Sequence, residues 1–162
     1  MIATPLFYHK AVFLISSQHL CCIAAMDPIR LTRRLVDIDS TTGAEAAVGA
    51  ALYDELYRLG YCVHKIPVAH LRFNLQATLE NKPPELVFST HMDTVPPFIP
   101  SSEDNQNIYG RGSCDAKGII AAQIAACERL RRQGAAVGLL FVVGEERDSL
   151  GAKIANENPL GN

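Results

Sequence analysis

The sequence has no Cys-x-x-Cys pair, and its five cysteines (Cys21, Cys22, Cys62, Cys114 and Cys127) are odd in number. That argues against a disulfide framework and against a structural zinc ribbon. Positive charge is not in excess either: 15 Lys and Arg against 17 Asp and Glu leave a net charge of −2. A nucleic-acid surface has no electrostatic footing on that balance. The basic clusters RLTRR (30–34) and RLRRQG (129–134) fall at helical spacing and read as solvated helix faces.

A long unbroken apolar run is also missing. The stretch AVFLISSQHLCCIAA (11–25) is interrupted by Ser16, Ser17, Gln18 and His19, whereas a bilayer helix needs about 20 apolar residues. No membrane span is expected. Lys10 ahead of the run and small residues after it fit a signal peptide. The following MDPIRLTRRL fits a native start instead, with Asp27 capping a helix and Pro28 in its first turn. The second reading is preferred. It makes 1–25 an N-terminal extension and 26–162 the folded part, expected in the cytoplasm.

There is no internal repeat and no low-complexity tract. With 48% hydrophobic and 20% charged residues over 162 positions, the chain can build one real core. A short helix follows Pro28, and a second spans 44–60 with Val48, Leu52, Leu56 and Leu59 as its apolar stripe. Strands are expected at 61–68, 71–79, 86–91 and 137–143. Between the last two lie a proline-broken loop and a long helix, 116–134, with Ile120, Ile124 and Cys127 on one face. Cys62 and Cys127 read as small core residues, and Cys114 as packing. A last helix is expected from Ser149 to about Glu157. Alternating helices and strands give an α/β class. The strand at 86–91 should run parallel to that at 137–143, joined through the long helix by a right-handed crossover.

Sites in such sheets gather at the carboxyl ends of strands. There the chain places His91 and Asp93 (in STHMDTVPP), Glu145 and Glu146 (in FVVGEERDSLGAK), and Asp115 (in IYGRGSCDAKGIIAA). Singly, each has an ordinary explanation: a helix cap, solvated loop carboxylates, a hydrogen-bonded histidine. Together, four carboxylates at one sheet edge repel one another unless a cation neutralises them, and an imidazole among carboxylates suits zinc or a similar ion. A nucleotide site is excluded by the letters themselves. Lys117 is followed by Gly118 rather than Ser or Thr, and Asp115 stands where a dinucleotide fingerprint needs its third glycine.

These three motifs, in this order, resemble those of the dinuclear zinc peptidase and deacylase family of acetylornithine deacetylase, succinyl-diaminopimelate desuccinylase, aminoacylase and glutamate carboxypeptidase. The likeness covers about 27–162, the first part of that family's catalytic domain. It implies a three-layer αβα sandwich with a mixed, partly parallel sheet. It implies two divalent metal ions, zinc or alternatively cobalt. By position, His91, Asp115 and Glu146 are metal ligands, with Asp115 bridging. Asp93 orients His91, and Glu145 is the general base that deprotonates the attacking water. The Asp115–Ala116 peptide is expected to be cis.

The implied substrate is a small molecule, an N-acyl amino acid or small peptide, with acetylornithine deacetylase as the leading subtype in amino-acid metabolism. The full-length protein is expected as a homodimer. The family uses a further acid and a late histidine that His9, His19, His64 and His70 do not match. The chain is therefore expected to lack the dimerisation domain and the C-terminal part, and to be inactive alone. The alternative is a non-catalytic domain that retains the fold.

Overall fold

The structure, a computed structural model, describes residues 26–79 and 83–160. The expectations for 1–25, with Cys21 and Cys22, lie outside the described residues. Asp27 caps the first helix as its position suggested: its carboxylate accepts from the Ile29 and Arg30 amides at 3.0 and 3.2 Å. Pro28 opens that helix, α1 (Pro28–Val36). Helix α2 (Ala46–Arg58) buries Val48, Leu52 and Leu56 completely. It stops before Gly60, whose φ of +84° suits glycine.

Strands β1 (Cys62–Ala69) and β2 (Arg72–Thr78) form an antiparallel hairpin. Next come β3 (Leu86–His91), the two-residue strands β4 (Ser102–Glu103) and β5 (Ile108–Tyr109), α3 (Lys117–Arg132), β6 (Val137–Val142) and α4 (Leu150–Ala155). The main sheet has the order β1-β2-β6-β3. β6 is parallel to β3 and antiparallel to β2, so the sheet is mixed as expected.

Side chains alternate across β2 and set the layers. Leu75 and Ala77 join Leu139 and Phe141 of β6 against Leu52, Leu56, Ile120 and Ile124 in one core. Burying each such Leu or Ile contributes about 2 kcal/mol. Asn74, on the opposite face, donates from Nδ2 to the Gly151 carbonyl of α4 at 2.8 Å. Helices thus cover both faces, giving an α/β three-layer arrangement.

Four local expectations are corrected. The loop after Asp93 is not wholly irregular, because β4 and β5 pair within it. Cys62 is only half-buried, because among the described residues β1 pairs with β2 alone; its Sγ lies 3.3 Å from His64 Nε2. Cys114 is exposed rather than packed, since the buried positions of its turn are Gly112, Ala116 and Lys117. Helix α4 is shorter than its pattern suggested: it starts after Ser149, at φ +53°, and ends at Ala155.

Candidate metal centre

The parallel pair β3 and β6 ends with its two carboxyl termini side by side, His91 level with Val142. The next residues of each strand therefore meet. His91 is buried and Asp93 wholly so. The His91 ring is held by its Nδ1, 3.0 Å from the Asp93 carbonyl and 3.4 Å from Asp93 Oδ1. That leaves Nε2 aimed outward, 3.0 Å from Asp115 Oδ1 and 3.8 Å from Glu145 Oε2.

The Asp93 carboxylate does more than face the histidine. Oδ1 accepts from the Glu145 amide at 3.0 Å, and Oδ2 from the Glu146 amide at 3.2 Å and the Thr42 hydroxyl at 2.8 Å. Burial alone would raise its pKa, but His91, Thr42 and the two amides outweigh that and lower it to about 2. In the metal-free chain the Asp93 hydrogen bond raises His91 to about 9, against the cost of burial and with help from Asp115. Desolvation, with the neighbouring acids Asp115, Glu145 and Asp93, raises Glu146.

Asp115 reaches the site from the turn ahead of α3. Its peptide bond to Ala116 is cis, as the resemblance implied, and so is Pro96–Pro97, which the sequence reading did not anticipate. Ala116, not Asp115, stands at the helix cap position. Behind this turn, Lys117 is almost fully buried and donates from Nζ to the Ile38 carbonyl at 2.6 Å. Burial pulls its pKa down to about 8. Gly118 completes the turn, since a β-carbon there would run into the Ser113 carbonyl oxygen.

All five predicted side chains come to one edge. His91, Glu145 and Glu146 each offer a donor atom within 4.8 Å of the others. Asp115, 70% exposed, faces His91 from the side, and Glu145 is 50% exposed. One imidazole nitrogen with carboxylate oxygens is the donor set of a divalent zinc-type ion. The outward Nε2, backed at Nδ1 by Asp93, has the orientation a ligand needs. The residues present therefore fit a metal. Thr42 and Asn74 were missed by sequence reading. Asn74 Oδ1 accepts from the Val143 amide at 3.1 Å and so steadies the end of β6. It carried no signal in the sequence, because Arg72, Asn74, Gln76 and Thr78 alternate with apolar residues along β2 as the solvent face of any strand would.

Comparison with known proteins agrees with this geometry. Residues 87–159 match Peptidase family M20/M25/M40. A probable carboxypeptidase of Aspergillus clavatus is 38% identical over 143 aligned positions, covering 78% of this chain and 34% of that protein. A Peptidase M20 domain-containing protein of Schizosaccharomyces pombe is 40% identical over 156, covering 91% and 39%. The chain thus spans about a third of the length of the curated relatives it matches. Among solved structures, a Staphylococcus aureus tripeptidase superposes with a TM-score of 0.68 at 28% identity, over 82% of this chain and 41% of that one. A dinuclear metal-binding peptidase of the M20 family from Bacillus subtilis shares the fold, with a TM-score of 0.56 at 15% identity over 80% and 38% of the two chains. Three sequence motifs, a mixed sheet that brings them together and these relatives agree: from residue 87 to residue 159 the chain is similar to peptidase family M20/M25/M40.

Proposed function

We propose that this chain carries part of the active site of a metal-dependent hydrolase that cleaves an amide bond in a small peptide or N-acyl amino acid. The observation that carries the reading is the convergence of His91, Glu145 and Glu146 within 4.8 Å, with Asp93 behind the imidazole. His91, Asp115 and Glu146 would hold two divalent ions, most simply zinc. When bound, the metal supplies a Lewis acid for the amide carbonyl and makes a nearby water more acidic. Glu145, half open to solvent, is the general base. One of its carboxylate oxygens takes a proton from the attacking water as the water oxygen bonds to the carbonyl carbon. The same proton passes to the amine nitrogen as the carbon–nitrogen bond breaks. Asp93 keeps the His91 Nδ1 side engaged, so that Nε2 stays directed at the site.

Relatives named carboxypeptidase and a tripeptidase neighbour favour a peptide substrate. The acetylornithine deacetylase-like reading of the motifs supplies the N-acyl alternative. Residues 1–25 are proposed as an extension outside the catalytic fold.

The test needs the longer protein that carries this segment. Glu145→Gln is expected to keep both metals and lose at least about a thousandfold in kcat, with Glu146→Gln losing one metal. Metal analysis and turnover of dipeptides and N-acetyl amino acids read both. Metal loss in Glu145→Gln but not in Glu146→Gln would reverse the two roles. The 162-residue chain alone is expected to show no turnover with zinc or cobalt added, since His91, Asp115 and Glu146 alone would leave each of two ions short of the about three protein ligands that a catalytic zinc keeps. Turnover by the chain comparable to that of the longer protein would overturn this.

A further inference from the structure

The acids at the end of β6 stand on a turn with little support of its own, and β2 reaches across to it. The β2–β6 register pairs Leu75 with Phe141. Continued by three residues, it brings Arg72 level with Gly144, immediately before Glu145. Arg72 Nη2 lies 2.6 Å from where a β-carbon on Gly144 would be, and Gly144 has φ +75°. The guanidinium thus packs under the bend that launches the two glutamates.

Arg72 is itself fixed. Its Nε and Nη2 donate to Glu45 Oε2 and Oε1 at 2.9 and 2.8 Å, a two-pronged pair. Glu45, ahead of α2, is completely buried. Its Oε2 also accepts from the Gly43 amide at 3.0 Å. Next to Gly43, Thr42 donates its hydroxyl to Asp93 and its amide to the Thr94 carbonyl at 3.1 Å. Asp93 in turn accepts the Glu145 and Glu146 amides. The path closes on itself: Arg72, Glu45, Gly43, Thr42, Asp93, the glutamate turn, Gly144 and back to Arg72.

We propose that Arg72 and Glu45 are positioning residues for the metal-facing turn, closing a ring of contacts that fixes where Glu145 and Glu146 point. The pair lies outside the donor cluster of His91, Glu145 and Glu146. A planar fork suits the geometry, because the Nε–Nη2 edge of the guanidinium grips Glu45 while Nη2 and Cζ lie beside Gly144. A lysine offers one point charge and cannot do both. The metal part of this inference rests on the reading of Glu145 and Glu146 as metal-facing; the backbone part does not.

Two readouts on the 162-residue chain separate these. Hydrogen exchange without metal reports on the Glu145 and Glu146 amides, and cobalt titration reports on the site through the ion's visible absorption spectrum. In Arg72→Met, protection of those two amides is expected to fall at least tenfold while the α3 amides from Ile120 to Cys127 stay within about threefold. Cobalt affinity is expected to fall at least tenfold, with an altered spectrum. Arg72→Lys should recover the fold but only part of the protection. If Arg72→Met does not fold, Glu45→Gln, which keeps the shape but weakens the pair, is expected to show the same local pattern. Unchanged protection at Glu145 and Glu146 in a folded variant would overturn the proposal. So would a loss spread evenly over the chain, which marks a purely structural pair. The cobalt titration repeated on the longer protein decides the metal reading, which fails if that protein binds no cobalt, and the exchange experiment still decides the role of the ring.

Discussion

Asp93 is a carboxylate with no access to water, and it stays ionised because donors surround it. Its folded pKa of about 2 lies below the ordinary 3.8. A depressed acid gives stability that is fully present above its unfolded pKa and is lost as pH falls through the folded one. The contribution is about 2 kcal/mol, and its window runs from about pH 4 down to about pH 2. Urea unfolding across that window should show a steeper loss of stability for the natural chain than for Asp93→Asn. Parallel slopes would remove Asp93 from the account. His91 has the opposite sign. Raised to about 9, it carries a proton at neutral pH in the metal-free chain. A metal takes the unprotonated ring, so binding must expel that proton. Zinc affinity should climb about tenfold per pH unit from pH 7 and level off near pH 9. Calorimetry in buffers of different ionisation enthalpy should count one released proton at neutral pH. A pH-independent affinity would mean that His91 is not a ligand.

At the scale of the elements, the start of α3 packs closely on the turn that carries Asp115. Alanine normally favours a helix over glycine by about 1 kcal/mol. At Gly118 the Ser113 carbonyl blocks the added carbon, and backbone cannot rotate away as a side chain can. Gly118→Ala should therefore destabilise by about 2 kcal/mol despite the better propensity; chemical denaturation reads it, and a stabilised variant would contradict the packing. This turn also shows what a sequence can carry. The helix behind it was legible from Ile120, Ile124 and Cys127, whose spacing forces one buried face. β6 was legible from its unbroken apolar run, and Asp93, Glu145 and Glu146 from their places just past strand ends. The β4–β5 hairpin was not, because two-residue strands are too short to show a period. Nor were the roles of Thr42, Arg72 and Asn74. Their partners are far off in sequence: Thr42 meets Asp93 across 51 residues, and Arg72 and Asn74 meet the end of β6 only once β2 lies beside β6. Cys62 misled because apolar neighbours in sequence do not say that a strand is at an edge.

As a whole molecule the layers are unequal. One face carries α2 and α3 over a core of fully buried Leu, Ile and Phe. The other carries α4, six residues long, with only Gly151 and Ala155 buried. So short a helix holds itself weakly and depends on its docking. Hydrogen exchange should open the Leu150–Ala155 amides well before those of α3, by at least about tenfold in rate. Equal protection would mean that the two faces unfold as one. The order β1-β2-β6-β3 has a further consequence during synthesis. Of the four strands described in this sheet, the latest in the sequence sits between two earlier ones. Until Val137–Val142 has left the ribosome, β3 has no partner in this sheet and the β1–β2 hairpin has no neighbour on its open side. Half-made chains would therefore display two bare strand edges at once, the condition that invites chaperones and misassembly. Nascent chains stalled before Val137 should be cut readily by protease within β3, and chains stalled after β6 has emerged should resist.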